Sequence, residues 1–257
     1  MGEVMDRGTD ACKNHFAECK VMNIRQTRRG WLKELLLGCE AKTEFKYFTG
    51  KNQIAHSLED SDVCERCWFP QCYNWKMVVK EANTDVEIIS VHRPKSLCVM
   101  ACKDCTPQEA IVTSNGEEMG RVKEEYFYCV ESFIITDAKG DPKYRVHPPT
   151  CVRGMCVNYF TEGCMCGRGM CKIPFWIFDI NQEKTDGGDA VHIGKILKKP
   201  KSVMTEIFTE ANAFEATFPH DADVAAKATL VGASMYFNSV FFEVSFVRQM
   251  LSKVVKF

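Results

Sequence analysis

Residues 213–251 read AFEATFPHDADVAAKATLVGASMYFNSVFFEVSFVRQML, and the change of pattern inside this stretch decides the fold. Phe214-Glu215-Ala216-Thr217-Phe218 alternates apolar and polar residues, the period of a half-buried strand. After Asp223 the alternation stops. Val224 to Leu251 is rich in Ala, Val, Met and Phe and carries no turn signal, which predicts a helix. Its most apolar part, Ala228 to Phe242, is broken by the polar Ser234, Asn238 and Ser239. At 1.5 Å per residue that part spans roughly 22 Å, short of the roughly 30 Å of a bilayer's hydrocarbon, even with Lys227 snorkelling. A helix over about 224–243 that fills a protein core is therefore expected. The remaining 244–257 places Val247, Met250, Leu251 and Val254 at helical spacing beside Arg248, Lys253 and Lys256, an amphipathic basic tail.

Upstream, from Phe45 onward, short apolar-rich runs alternate with polar turns. The turn signals are Thr49-Gly50-Lys51-Asn52, Asn83-Thr84-Asp85, Ser114-Asn115-Gly116 and Lys139-Gly140-Asp141, then Asp186-Gly187-Gly188-Asp189 and Glu210-Ala211-Asn212. Gly, Asn and Asp tolerate the positive φ that tight hairpins require. Trp75–Val79 is expected to pair with Val86–Val91, Phe133–Thr136 with Tyr144–Val146, and Pro174–Ile180 with Ala190–Ile196. Six hairpins imply about twelve strands. So many antiparallel strands in one domain close into a barrel or split into a sandwich, because open edges aggregate. The fold class is mainly β: a closed antiparallel barrel with an apolar C-terminal helix, spanning 31–243 after a solvated tail over 1–30.

Composition sets limits on function. The chain has 257 residues, 46% of them hydrophobic, and a net charge of -1. That share supplies a sizeable core, and the charge supplies no global field toward nucleic acid, so no specific nucleic-acid binding is expected. The opening MGEVMDRGTDACKNH has no apolar run to serve as a secretory signal, and Asp6 stands where a myristoylation motif needs Ser or Thr. Fifteen cysteines without such a signal point to thiols, metal ligation or lipidation rather than a disulfide framework. Cys64-x-x-Cys67 with Cys72 is a zinc half-site, and Cys151, Cys156, Cys164, Cys166 and Cys171 are further candidate thiolates. The six histidines fall at no metal-ligand spacing, and no phosphate loop, G-x-S-x-G or H-E-x-x-H is present, so no catalytic group stands out.

Several segments taken in order resemble the phospholipid scramblase family. Glu206-Ile207-Phe208-Thr209-Glu210-Ala211-Asn212 with Phe214, Phe218-Pro219, Asp221 and Asp223 resembles its signature, and Gly232-Ala233 and Phe241-Phe242-Glu243 resemble its helix. Glu34-Leu35-Leu36, Glu59-Asp60-Ser61-Asp62 before Cys64, Arg93-Pro94 before a cysteine cluster, Gly120-Arg121-Val122 and Gly194-Lys195-Ile196 follow the family's order. The resemblance covers about residues 31–243. It implies a tubby-like barrel of twelve strands around a central helix, and calcium-stimulated, ATP-independent movement of phospholipids between leaflets.

The resemblance also implies sites. Its calcium loop falls on Glu210, Asn212, Phe214, Ala216, Phe218 and Asp221. This stretch lacks the glycine at the sixth position that an EF-hand turn requires, and Phe214, Ala216 and Phe218 offer only backbone carbonyls. Its acylation cluster falls on Cys98, Cys102 and Cys105, where S-palmitoyl groups would anchor the chain to the cytoplasmic face of the plasma membrane. Lys195, Lys198, Lys199 and Lys201 coincide with a nuclear-import segment of some relatives and, read by charge alone, form a solvated loop. Three functions stay open: a scramblase, an acylated peripheral module that binds lipid or protein partners, and a zinc-stabilised interaction module.

Overall fold

The structure is a computed structural model that describes residues 10–28, 43–62, 73–95, 107–125, 130–151, 156–157, 173–181, 191–199 and 213–243. The strands are β1 (Val21–Arg28), β2 (Thr43–Thr49), β3 (Asn52–Ser61), β4 (Trp75–Glu81), β5 (Glu87–Arg93), β6 (Glu109–Ser114) and β7 (Glu117–Glu124). They continue with β8 (Phe133–Asp137), β9 (Pro142–His147), β10 (Thr150–Cys151), β11 (Cys156–Val157), β12 (Ile173–Asp179), β13 (Gly194–Lys199) and β14 (Ala213–Thr217). Twelve of them close a barrel in which each strand pairs with its neighbour in sequence, and β1 seals the ring by pairing with both β2 and β14. β10 and β11 form a separate two-stranded ladder between β9 and β12.

The expected pairs form, with Trp75 opposite Arg93, Phe133 opposite Val146 and Phe175 opposite Ile196. The four turns before residue 150 adopt the positive φ their residues favour, at Gly50, Asp85, Asn115, Gly116 and Gly140. The other two turns, at 186–189 and 210–212, lie outside the described residues. The strand count was right for a partly different reason. The last two turns share β13, so six turns account for eleven strands, and the twelfth, β1, comes from the stretch expected to be a solvated tail. That tail is corrected: residues 10–16 are helical and Val21–Arg28 is a barrel strand.

Along most strands apolar residues point in and charged residues out. Phe45, Tyr47, Met77, Val91, Val112, Val122 and Phe214 are buried, whereas Arg25, Lys76 and Lys80 are exposed and Lys46, Arg121 and Arg145 half-buried. A bilayer-spanning barrel has the reverse arrangement, apolar outside and polar inside.

The lumen is filled by the central helix, Val224–Phe237, continued by a π-helical turn, Asn238–Glu243. The combined range matches the expectation of 224–243. Asp223 caps the N-terminus, its carboxylate accepting from the Ala226 N–H at 2.7 Å. From Ala226 to Val240 every residue is buried. A helix apolar on all sides is stable only when enclosed, and here the barrel encloses it. Two glycines permit the close approach. A Cβ on Gly232 would come within 2.5 Å of Val112 Cγ2, and one on Gly120 would collide with the Thr136 carbonyl oxygen and lie 2.7 Å from Thr229 Oγ1. Among the described residues no helix is long and apolar enough to cross a membrane.

Lys227 does not snorkel. Its ammonium is buried and donates to the carbonyls of Phe16 and Ala17 at 3.1 and 2.8 Å, capping the C-terminal end of the 10–16 helical segment.

Candidate functional site at the long-connection rim

The registers place the two ends of every barrel strand on two different rims. One rim holds the short turns 50–51, 82–86, 115–116 and 138–141, together with the longer 180–193. The helical segment 10–16 covers this rim, with Cys12 and Phe16 buried and His15 Nε2 2.7 Å from Glu81 Oε1. The opposite rim receives the connections 29–42, 62–74, 94–108, 125–132, 148–172 and 200–212, and the C-terminal end of the central helix.

By sequence, thirteen of the fifteen cysteines fall between the strand ends of this second rim. Cys39 lies in the β1–β2 connection, Cys64, Cys67 and Cys72 in β3–β4, Cys98, Cys102 and Cys105 in β5–β6, and Cys129 in β7–β8. Cys151, Cys156, Cys164, Cys166 and Cys171 lie between β9 and β12. Among the described residues Cys12 and Cys19 lie at the covered rim, where burial pushes the Cys12 thiol up to about 11 despite the opposing Ser114 and Lys13. Burial likewise raises Cys19. Thiols held protonated are poor nucleophiles, which disfavours thiol chemistry at Cys12 and Cys19.

Under the long connections, the inward positions of the strand ends turn polar. Gln26, Glu59, Arg93, Gln108 and Glu124 are all buried beside Tyr73, Trp75 and Tyr236. Arg93 donates to Gln108 Oε1 and reaches Ser239 Oγ at 3.5 Å. Its guanidinium lies 5.9 and 5.7 Å from the ring centres of Tyr73 and Tyr236. The Tyr236 hydroxyl donates to Glu124 Oε1 at 2.9 Å, and the Gln108 N–H donates to Glu124 Oε2 at 3.1 Å. Burial first, and the Glu124 charge second, push the Tyr236 phenol well above its ordinary value.

A second carboxylate, Glu59, accepts from Ser61 Oγ at 2.6 Å and from the Tyr73 hydroxyl and the Thr43 N–H at 3.3 Å each. These bonds tie β2, β3, β5, β7 and the helix end together and hold the rim's strand ends at fixed spacing. The network was missed in the sequence, although Arg93-Pro94 was singled out. The signal available was a polar residue at an inward position near the end of successive strands.

Other expected site residues are dispersed. Phe214 and Ala216 are buried and inward, and β14 is paired on both sides, with β1 and β13. Phe218 is buried beyond the strand, and Asp221 is exposed in the turn before the helix. From Phe214 to Phe218 an extended chain covers about 13 Å, whereas calcium gathers oxygens at about 2.4 Å. The extended run from Phe214 to Phe218 therefore does not wrap one point. Glu210 and Asn212 lie outside the described residues, as do Cys64, Cys67, Cys72, Cys98, Cys102, Cys105 and Lys201.

Lys195, Lys198 and Lys199 are not in a solvated loop. They lie on β13, and Lys199 Nζ bonds Glu215 Oε2 at 2.5 Å and Asn23 Oδ1 at 3.2 Å. The histidines have local partners instead: His56 pairs with Asp85 at 3.3 Å, His92 bonds Asn74 at 2.8 Å, and His147 and His192 stack on Phe178 and Trp176. Among the described residues no three His, Cys, Asp or Glu side chains are grouped to hold a metal.

Residues 17–244 match the family described as Scramblase, starting just ahead of β1 and ending at the π-helical turn. The chain belongs to the Scramblase family. It is 26% identical over 216 residues to the Bos taurus protein named "Phospholipid scramblase 2", covering 83% of this chain and 66% of that one. It is 26% identical to Homo sapiens "Phospholipid scramblase 1", covering 82% and 60%, and 25% identical to Homo sapiens "Phospholipid scramblase family member 5", covering 81% and 69%. The chain thus spans about two thirds or less of the length of the first two. No solved structure matches it significantly. The family match reaches further toward the N-terminus than the resemblance over 31–243, because that resemblance passed over β1.

Proposed function

We propose that this scramblase-family chain promotes ATP-independent movement of phospholipids between leaflets, acting from the cytoplasmic face of the plasma membrane. The reading is carried by the family match over residues 17–244 and the names of the relatives. The filled lumen restricts the mechanism. Leu230, Val231, Ala233, Tyr236 and Phe237 are inaccessible to solvent, so a lipid headgroup has no route along the barrel axis. Lipid would instead be handled outside the barrel, and the cysteines in the sequence between β5 and β6 are of a type suited to membrane attachment. S-palmitoylation of Cys98, Cys102 and Cys105 would supply the two or more anchoring signals that stable attachment requires.

The test is reconstitution in liposomes containing a fluorescent phospholipid whose outer-leaflet copies are quenched chemically. Accelerated loss of protected signal supports scrambling, and a protein-free rate with and without about millimolar calcium refutes it. Acceleration only with calcium would support the calcium-stimulated form.

A second reading is an acylated peripheral module that binds lipid headgroups or protein partners without moving lipid. It is favoured by the charged outer face of the barrel together with the occupied lumen. Fractionation of the Cys98→Ser/Cys102→Ser/Cys105→Ser variant addresses attachment in both readings, since undiminished membrane association excludes these thiols as the main anchor. Metal analysis of purified protein addresses zinc at Cys64, Cys67 and Cys72, and the same fractionation records any nuclear pool through Lys195, Lys198, Lys199 and Lys201.

A further inference from the structure

Cys151 and Cys156 are direct cross-strand partners in the β10–β11 ladder, and neither is required by the proposed lipid movement. The ladder is a sheet separate from the barrel, between β9 and β12 in sequence, and among the described residues its pairings are Thr150 with Val157 and Cys151 with Cys156. The sequence alone left these two cysteines in a group of five candidate thiolates. The backbone register separates them from Cys164, Cys166 and Cys171.

Residues directly opposed in an antiparallel ladder have Cα atoms about 4.5 or 5.5 Å apart, depending on which kind of pair they form. Both separations fall inside the roughly 4.4–6.8 Å window that a disulfide needs. The register therefore meets the first geometric condition for a bond without any rearrangement of the two strands.

We propose that Cys151 and Cys156 are a redox-active dithiol that closes to a disulfide within the hairpin on exposure to a low-molecular-weight disulfide such as oxidised glutathione. The first cysteine thiolate attacks one glutathione sulfur, forming a mixed disulfide and releasing one glutathione thiolate. The second attacks the protein sulfur of that mixed disulfide and expels the other glutathione. Two protein thiols are oxidised, one glutathione disulfide is reduced to two thiols, and the two cysteine protons end on them. Reduced glutathione in excess reverses both steps. Closure would cross-link the two strands of the β10–β11 ladder.

The sequence offers a direct assay because Arg153 lies between the two cysteines. Trypsin cuts there, so a Cys151–Cys156 disulfide joins peptides 146–153 and 154–168, which separate on reduction. The folded wild-type chain is equilibrated in glutathione buffers of graded potential, alkylated, digested and sequenced by mass spectrometry. In an unfolded chain, loop closure alone favours Cys151–Cys156 over Cys151–Cys164 by about fourfold.

The expected result is a ratio of about tenfold or more in the folded chain, falling toward the loop-closure value in guanidinium. A Cys156→Ser chain should leave Cys151 as a glutathione adduct. Equal ratios in the folded and unfolded chains overturn the proposal. So do linkage mainly through Cys164, Cys166 or Cys171, adducts at both cysteines without closure, thiols that stay reduced at every potential, and zinc bound by the unoxidised pair.

Discussion

At one rim of the barrel the chain turns back within two to five residues at four of its hairpins, while at the other it makes excursions of eight to twenty-five residues. The short turns are built from residues that accept positive φ, and a helical segment lies over them with Lys227 capping its carbonyls. The far rim has a buried Arg93–Glu124–Tyr236 network, and the sequence between its strand ends contains thirteen of the fifteen cysteines. A closed barrel filled by its own helix leaves no passage along its axis, and connecting segments are where such scaffolds usually carry function.

The largest effect is expected from starting the chain at Arg29. If the first 28 residues were a dispensable tail, the barrel would survive. Instead, β1 is the closing strand, and its loss opens the edges of β2 and β14 and removes Phe16, Met22 and Ile24 from the core. The expected cost equals the whole stability of an ordinary domain, about 5–15 kcal/mol. Thermal denaturation followed by circular dichroism should show no cooperative transition. A folded, soluble product would break the contrast, because the covered rim would then be ornamental.

This strand also explains what the sequence concealed. The hairpin pairs and the filling helix were legible because Gly, Asn and Asp mark turns and because the helix is apolar on every side. β1 reads VMNIRQTR: its inward positions are Met22, Ile24 and then Gln26, which faces the polar rim. Two apolar residues do not make a recognisable alternation, and no hairpin turn flags either end. The polar network stayed hidden for a related reason. Arg93, Gln108 and Glu124 are separated along the chain and become neighbours only when β5, β6 and β7 pair. The cysteine-bearing connections were visible as composition, but their gathering at one rim depends on strand direction.

Gly120→Val should cost about 3 kcal/mol, because the added carbon meets the Thr136 carbonyl and neither strand can retreat. Gly232→Ala should cost only about 1 kcal/mol: it meets a Val112 methyl, which can shift, and it gains helix propensity. Denaturant midpoints of the two variants check this order. A larger loss for Gly232→Ala would mean that the helix, rather than the β7–β8 pairing, sets the limit of close packing.

The two rims can then be compared through one cation each. Arg93→Met, at the long-connection rim, should cost about 3 kcal/mol by breaking a buried charged network. Lys227→Met, at the covered rim, should cost about 2 kcal/mol by leaving the Phe16 and Ala17 carbonyls without their donor. The two losses should appear in different places. Peptide-resolved alkylation should find Cys12 labelled about thirtyfold faster in Lys227→Met, while Arg93→Met leaves it protected. If both variants expose Cys12 equally, the rims open together and are not separate units.

The smallest effect concerns the charge at the start of the helix. Burial alone would raise the Asp223 carboxyl, but the Ala226 N–H, the Lys143 ammonium at 2.9 Å and the Ala225 N–H outweigh it and leave it below the usual value. A carboxyl held down by folding contributes stability that is fully present above its unfolded pKa of about 3.9 and is lost as pH falls through the lower folded value. Asp223→Asn keeps an oxygen that can accept from Ala226, so at neutral pH it should cost less than about 1 kcal/mol. Below about pH 4 the variant should lose stability less steeply than the parent. Some slope remains in either chain, because Glu81, by the Thr84 hydroxyl and then by His15, and Glu118, by the Arg121 guanidinium, are also held down at the same rim. Denaturant midpoints measured from pH 6 to pH 2 decide the matter. Identical slopes would remove Asp223 from the acid response and leave the Glu81 and Glu118 contacts of the same rim to account for it.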